Sequence, residues 1–304
     1  MLSELLATGG GGANIWLTAN GGLFRTFDAR FPDSRSVAFS PDGVYLAGGS
    51  HSFNQNLNLW RVSDGILVTG RVTAHNNGVE SVRFSPDGHF LATGGRDRET
   101  KLWTVPELTL VRTFPTGART FSVAFSPDGT RLVTSGQFGV SIWDVATGAR
   151  LLILDGNFTN VESVAFSPDG NLIAAAYDVT DAEGQTVDSS IRIWRASNGL
   201  LLRTLNAPYT RGVESVAFSP RSDFIVSGGD SGAYPYYFGH LRIWRVADGA
   251  LLINEAQQDP DGTGISAVMS ATYSKNGAYI AYTRLDGLTT VASNPFQIVL
   301  GNAR

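Results

Sequence analysis

Glu162 to Gly170 reads ESVAFSPDG. Glu80 to Gly88 spells the same stretch with one change, ESVRFSPDG, and Glu214 to Ser222 gives it an altered end, ESVAFSPRS. Shorter echoes stand at Val37 to Gly43, Val123 to Gly129 and Thr272 to Gly277. A catalytic motif is needed once per chain. A stretch written this often is a structural unit that must be stacked against its copies to bury its faces. The aromatic residues that open the turn, Phe39, Phe84, Phe125, Phe166, Phe218 and Tyr273, are spaced by 45, 41, 41, 52 and 55 residues. Tryptophans follow the first five, at Trp60, Trp103, Trp143, Trp194 and Trp244, and Trp16 precedes the series. Over 304 residues this makes seven units of about 43 each, the period of four-stranded propeller blades.

Gly78 to Phe114 shows how one unit reads. GVESVRFS is strand a, SPDG is a turn with proline at its second position, and HFLATGG is strand b. ETKLWTV alternates with period 2 as strand c, PEL turns the chain, and TLVRTF is strand d. No segment sustains a 3.6-residue apolar period, so the expectation is an all-β, seven-bladed propeller of four-stranded antiparallel blades with almost no helix. One domain fills 1–304, with blades over 1–34, 35–76, 77–117, 118–157, 158–208, 209–258 and 259–304. The strand-c tryptophans and strand-a valines are expected to fill the seams between blades.

Composition narrows the function. Hydrophobic residues make up 42% and charged residues only 16%, with a net charge of −4, which speaks against a general nucleic-acid binder. The absence of cysteine removes thiolate metal sites and cysteine nucleophiles and leaves the compartment open, exported or cytoplasmic. No apolar run reaches the length of a membrane span. HExxH, GxSxG and P-loop patterns are missing, and His51, His75, His89 and His240 are not paired at metal-ligand spacing, so neither a catalytic residue nor a cofactor or metal site is assigned.

With these residues in hand, the chain resembles the WD-repeat β-propeller family over essentially its whole length. The family's dipeptide appears once, as Trp143-Asp144, and turns such as VATGARLL and SNGLLLRTL are similar to those of bacterial members. The resemblance implies a His, Ser/Thr, Asp, Trp hydrogen-bond tetrad within a blade. Only His75, Thr93, Asp97 and Trp103 match it fully. Asn157 replaces the histidine in blade five, and Gly10, Asn54, Gln137 and Phe238 stand at the aspartate position of other blades. The resemblance also implies binding of a protein or peptide on the upper face, without a cofactor.

Ring closure is left open. Ser3 to Gly9 align with strand b, so the first blade lacks its inner strand, and Phe296 to Asn302 are expected to supply strand d of blade seven. Either the chain continues upstream or another segment closes the ring. An unpaired edge there is a route to self-association.

The a–b and c–d turns are short and uniform. Variation is concentrated in the b–c and d–a loops of the other rim, where function is expected. Tyr177 to Ser190 forms an acidic insertion with Asp178, Asp181, Glu183 and Asp188, and Gly228 to His240 carries Tyr234, Tyr236, Tyr237 and Phe238. On adjacent blades these two could form one acidic and aromatic ridge for a partner; otherwise the aromatics fold back as a small satellite core. The acidic spacing does not fit an EF-hand loop. Glu80, Glu162 and Glu214 head strand a in three blades and are expected to form a partial acidic arc, with Arg96 reaching the same rim. Arg35, Phe121 and Met269 hold that position elsewhere. The expected function is a non-enzymatic interaction scaffold; the alternative is a carbohydrate-binding or hydrolytic propeller using the acids and tyrosines around the opening.

Overall fold

A computed structural model of the chain describes residues 5–9, 12–18, 21–27, 34–50, 57–137, 139–154, 160–180, 186–206, 212–231, 238–257, 267–284 and 289–295. They form seven antiparallel sheets, and no helix occurs among them. Blade one is β1 (Leu5–Thr8), β2 (Ala13–Leu17) and β3 (Leu23–Phe27). Blade two is β4 (Ser34–Phe39), β5 (Tyr45–Ser50), β6 (Leu57–Arg61) and β7 (Leu67–Val72). Blade three is β8 (Val79–Phe84), β9 (Phe90–Gly95), β10 (Thr100–Thr104) and β11 (Leu110–Phe114). Blade four is β12 (Thr120–Phe125), β13 (Arg131–Gly136), β14 (Gly139–Asp144) and β15 (Arg150–Leu154). Blade five is β16 (Asn160–Phe166), β17 (Leu172–Thr180), β18 (Thr186–Arg195) and β19 (Leu201–Asn206). Blade six is β20 (Gly212–Phe218), β21 (Phe224–Ser231), β22 (Phe238–Arg245) and β23 (Leu251–Gln257). Blade seven is β24 (Val268–Tyr273), β25 (Tyr279–Arg284) and β26 (Thr289–Ser293).

Among the described residues, blade one has three strands and no inner one, and blade seven has three, with β24 as its inner strand. The outer strand expected at Phe296 to Asn302 lies outside the described residues. The two long b–c insertions are corrected in kind. β17 and β18 pair from Leu172↔Arg195 out to Thr180↔Thr186, and β21 and β22 pair out to Ser231↔Phe238. Most of each insertion is therefore a lengthened hairpin. Asp178 belongs to that hairpin as part of β17 and is buried, so it is no loop carboxylate.

The core is divided among the seams. Six buried apolar clusters are each built from two consecutive blades, as where Ala47, Leu57 and Leu59 meet Val82, Leu91 and Trp103. The strand-a valines Val82, Val123, Val164 and Val216 and the strand-c tryptophans from Trp60 to Trp244 lie in these seams. In four blades the indole Nε1–H donates to the hydroxyl two residues past its strand-b partner: Trp16 to Thr8, Trp103 to Thr93, Trp143 to Thr134 and Trp244 to Ser227, at 2.9–3.0 Å. Gly48 takes that place in blade two, where an added Cβ would lie 2.7 Å from the Trp60 ring.

Hydrogen bonds cross the seams as well. Consecutive inner strands are joined by the serine of the ESV stretch, whose Oγ accepts an amide N–H from the next blade. Ser36 accepts from Val82 (3.1 Å), Ser81 from Val123 (3.3 Å), Ser122 from Val164 (3.4 Å), Ser163 from Val216 (3.2 Å) and Ser215 from Ala271 (3.0 Å). At the outer edge, Arg25, Arg112 and Arg203 donate to carbonyls in the c–d turn of the following blade.

The SPDG turn is locally self-sufficient. The serine hydroxyl donates to the aspartate and accepts the N–H that opens strand b, as Ser40 does with Asp42 (2.6 Å) and Tyr45 (2.9 Å). Its last residue needs a left-handed backbone: Gly43, Gly88, Gly129, Gly170 and Gly277 have φ between 70° and 77°. Blade six puts Ser222 there, at φ 62°, a conformation that costs an L-residue about 1 kcal/mol or more. Its hydroxyl accepts one long, exposed hydrogen bond from the Asp169 amide (3.3 Å). Ser222→Gly is therefore expected to stabilise the protein by about 0.5–1 kcal/mol after the extra entropy of an unfolded glycine is subtracted. Denaturant unfolding of the two proteins measures this, and a loss of stability would contradict it.

Candidate functional site at the channel mouth

Every described inner strand carries a β-bulge at one position, where two of its residues face one of strand b. The bulged residues are Arg35, Glu80, Phe121, Glu162, Glu214 and Met269, each directly before the linking serine or its equivalent. Bulges re-aim a side chain out of the regular alternation. Here they take the residue before the serine out of the pleat on the b–c side of the ring.

The mouth carries charge of both signs. Glu80 is buried, its side chain 2% exposed, and three guanidiniums converge on it. Arg35 Nε lies 2.7 Å from Oε2, Arg119 Nε donates to Oε1 at 3.0 Å, and Arg96 Nε also binds Oε1. One carboxylate against three guanidiniums makes this pole cationic. Arg119 also stacks over Phe121, 4.6 Å from the ring centroid. Blades five and six form the opposite pole. Burial pushes the Glu162 carboxyl above its ordinary range, against the pull of Arg119 and Arg35. Asp178 is pushed up to about 8, first by burial and then by the charges of Glu214, Glu162 and Asp230, although its Oδ1 accepts the Val213 N–H at 3.2 Å. Among the described residues, no group of three or more His, Asp and Glu side chains is placed to hold a metal ion.

Of the remaining sequence candidates, Phe238 opens β22 and is 42% exposed. Asp181, Glu183, Tyr234, Tyr236 and Tyr237 lie outside the described residues. The structure brings Arg96 to Glu80 and sets Glu162, Asp178 and Glu214 within electrostatic reach of one another. Sequence reading missed Arg119 and Asp230 as members of the site. Asp230 holds in blade six the place that Asp178 holds in blade five, so the repeat could have marked it; Arg119 stands in a d–a loop, where the period marks nothing.

Beside the mouth, blade three holds a chain of polar side chains. Trp103 Nε1–H donates to Thr93 Oγ1 (2.9 Å), Thr93 Oγ1 lies 2.8 Å from His75 Nε2, and His75 Nδ1 lies 2.7 Å from Asp97 Oδ1. Asp97 also accepts the Asn76 N–H at 3.2 Å, and Lys101 stands 3.5 Å away. Burial would raise the Asp97 pKa, but the hydrogen bond and charge of His75, with Asn76 and Lys101, outweigh it and hold the carboxyl at about 2.

The chain belongs to the WD40-repeat family, whose model, described as WD domain, G-beta repeat, matches residues 23–61, 67–104, 108–144, 148–195 and 199–233. It is similar to Autophagy-related protein 16 of Arabidopsis thaliana, with 25% identity over 238 residues, covering 77% of this chain and 42% of that protein. The chain thus spans less than half the length of this relative. The relative is a plant protein, so the bacterial likeness of the turns finds no support in it.

Two substitutions separate the electrostatics. Asp97→Asn is expected to destabilise by about 1–3 kcal/mol near neutral pH, because a buried charge-assisted pair is weakened. A carboxyl depressed from 3.8 to about 2 contributes stability that is lost as pH falls through that interval, so the gap between variant and wild type should close towards pH 2. Asp178 has the opposite sign. Its folded pKa, about 8, lies above the ordinary aspartate value of 3.8, so its contribution turns unfavourable as pH rises between them. Asp178→Asn should raise the melting temperature by about 2–5 °C at pH 8 and have almost no effect near pH 4. Melting curves across pH check both; a gain for Asp178→Asn that does not grow with pH would remove this account of the acidic pole.

Proposed function

We propose that the protein is a non-enzymatic scaffold that holds a protein or peptide segment across the mouth of its channel. One observation carries the reading: the inner strands vary where they are bulged and stay constant where they build. Ser36, Ser81, Ser122, Ser163 and Ser215 repeat because each links two blades. The residue before each serine is arginine, glutamate, phenylalanine, glutamate, glutamate and then methionine. A position released from the pleat and filled with four different residue types over six blades suits an irregular partner better than a repetitive scaffold. The cationic and acidic poles add register, since unlike charges at fixed places orient a partner and reject mismatched ones. Family membership supports the same reading. The tyrosines Tyr234, Tyr236 and Tyr237, with Phe238, and the acids Asp181 and Glu183 would extend this surface along the b–c rim.

The test is a selection of displayed peptides on the wild-type protein, followed by affinity measurements on variants. Phe121→Ala and Met269→Ala should each weaken the selected peptides about tenfold or more, equivalent to about 1.4 kcal/mol. The triple alanine variant at Tyr234, Tyr236 and Tyr237 should weaken peptides that reach the rim. Ile153→Ser, on an exposed outer strand, should leave affinity unchanged. Peptides that bind all the mouth and rim variants as well as wild type would refute the assignment.

A further inference from the structure

Below the mouth, the inner-strand residues three positions past each bulge ring the channel. Ala38, Arg83, Ala124, Ala165, Ala217 and Thr272 line a cavity of about 360 Å³. The phenylalanines that follow them on four strands also face it, and no Asp or Glu lines it. Arg83 is the one departure in charge, and it is the single letter by which ESVRFSPDG differs from ESVAFSPDG.

The Arg83 side chain lies in a peculiar environment. It is accessible to solvent-sized molecules, yet its accessible face opens into a channel enclosed by six blades. Its hydrogen bond runs from Nη1 to the carbonyl of the adjacent Val82, at 2.8 Å, which leaves donors of the fork directed elsewhere. Among the described residues it makes no ion pair. The carboxylate of Glu80 stands three residues, about 10 Å, up the same strand and is already engaged by three arginines. Burial lowers the Arg83 pKa, but a guanidinium stays charged in proteins. The lining is mixed, with Ser85, Ser163 and Thr272 among alanines and phenylalanines, and it offers this cation no carboxylate, so the charge is best balanced by an anion that enters the channel.

We propose that Arg83 is the seat of a small-oxyanion site inside the channel, taking a phosphate or a carboxylate through the planar fork of its guanidinium. Two parallel N–H donors match either oxyanion, which a point charge does not. The cavity holds roughly ten times the ~30 Å³ share of one water molecule, so the anion enters with part of its hydration shell. The site is separate from the mouth: it uses a different ring of residues and does not depend on a partner docking above.

The repeat supplies its own control. Alanine fills this position in blades two, four, five and six, so Arg83→Ala reproduces what four neighbouring blades already accommodate. Inorganic phosphate and, separately, acetate are titrated calorimetrically into wild type and Arg83→Ala at matched ionic strength in chloride. Wild type should bind one equivalent, and the variant should bind at least tenfold more weakly. Saturating anion should raise the melting temperature of wild type only. Binding of phosphate alone identifies the free inorganic ion as the source; binding of acetate as well identifies carboxylates, including those of a peptide terminus. Equal responses in both proteins, or no binding of either anion to wild type, would overturn the proposal. Arg83→Gln, which keeps the length of the side chain, repeats the comparison should the alanine variant fold poorly.

Discussion

The structure depends on the contact between one inner strand and the next. A four-stranded blade has two apolar faces and cannot cover either by itself. Six residues of strand a settle the matter in each repeat. The bulged residue is released from the pleat, the serine after it accepts an amide from the following blade, and the valine after that enters the seam. The next residue lines the channel, and the phenylalanine and serine lead into the turn. Ser81, Val82, Arg83 and Phe84 carry four of these roles in sequence. The serine bond matters beyond its modest net strength, because leaving the partner amide buried and unsatisfied costs more than the bond itself contributes. It also fixes the axial height of each blade against the next, which seam packing by valine and tryptophan alone would set only loosely.

That dependence explains why the fold was legible. The roles recur in fixed order, so the period, the strand-a anchors and the SPDG turn all point to one architecture, and local and global signals agree. The b–c insertions were harder. Asp178 and Asp188 lie in a segment rich in turn formers, and nothing local says that β17 and β18 continue pairing to Thr180 and Thr186. The decision is made by cross-strand pairing, which composition does not show.

The mouth was partly legible for a different reason. Equivalence in the repeat places Glu80, Glu162 and Glu214 together, and that much follows from counting. Their charge environments do not follow. Glu80 meets Arg35 from the same ring position of the previous blade, Arg96 from a b–c turn and Arg119 from a d–a loop. Glu162 feels Arg119 and Arg35 from a distance, too weakly to offset its burial, and Asp178 has fellow carboxylates for neighbours. Identical letters at identical positions thus carry different electrostatic meaning, because part of what Glu80 meets, Arg96 and Arg119, comes from a turn and a loop that the period does not fix. A repeat fixes where a side chain stands and leaves open what it faces.

The same logic turns departures from the repeat into information. Each position is written several times within one chain, so the copies calibrate one another without any second protein. Some departures are absorbed by the scaffold: Ser222 adopts the backbone of the glycines it replaces, and Leu108 takes a left-handed turn and buries itself in the seam between blades two and three. Others face the axis, where no packing requirement explains them. The bulged residues vary as a set, with arginine, phenylalanine and methionine beside three glutamates, which is the pattern of a surface fitted to something irregular. Arg83 departs alone, in a ring that is otherwise small and uncharged. A lone guanidinium among alanines contributes nothing to seam, turn or strand pairing, and burial acts against its charge. Its physical rationale must therefore lie in what enters the channel rather than in what builds it.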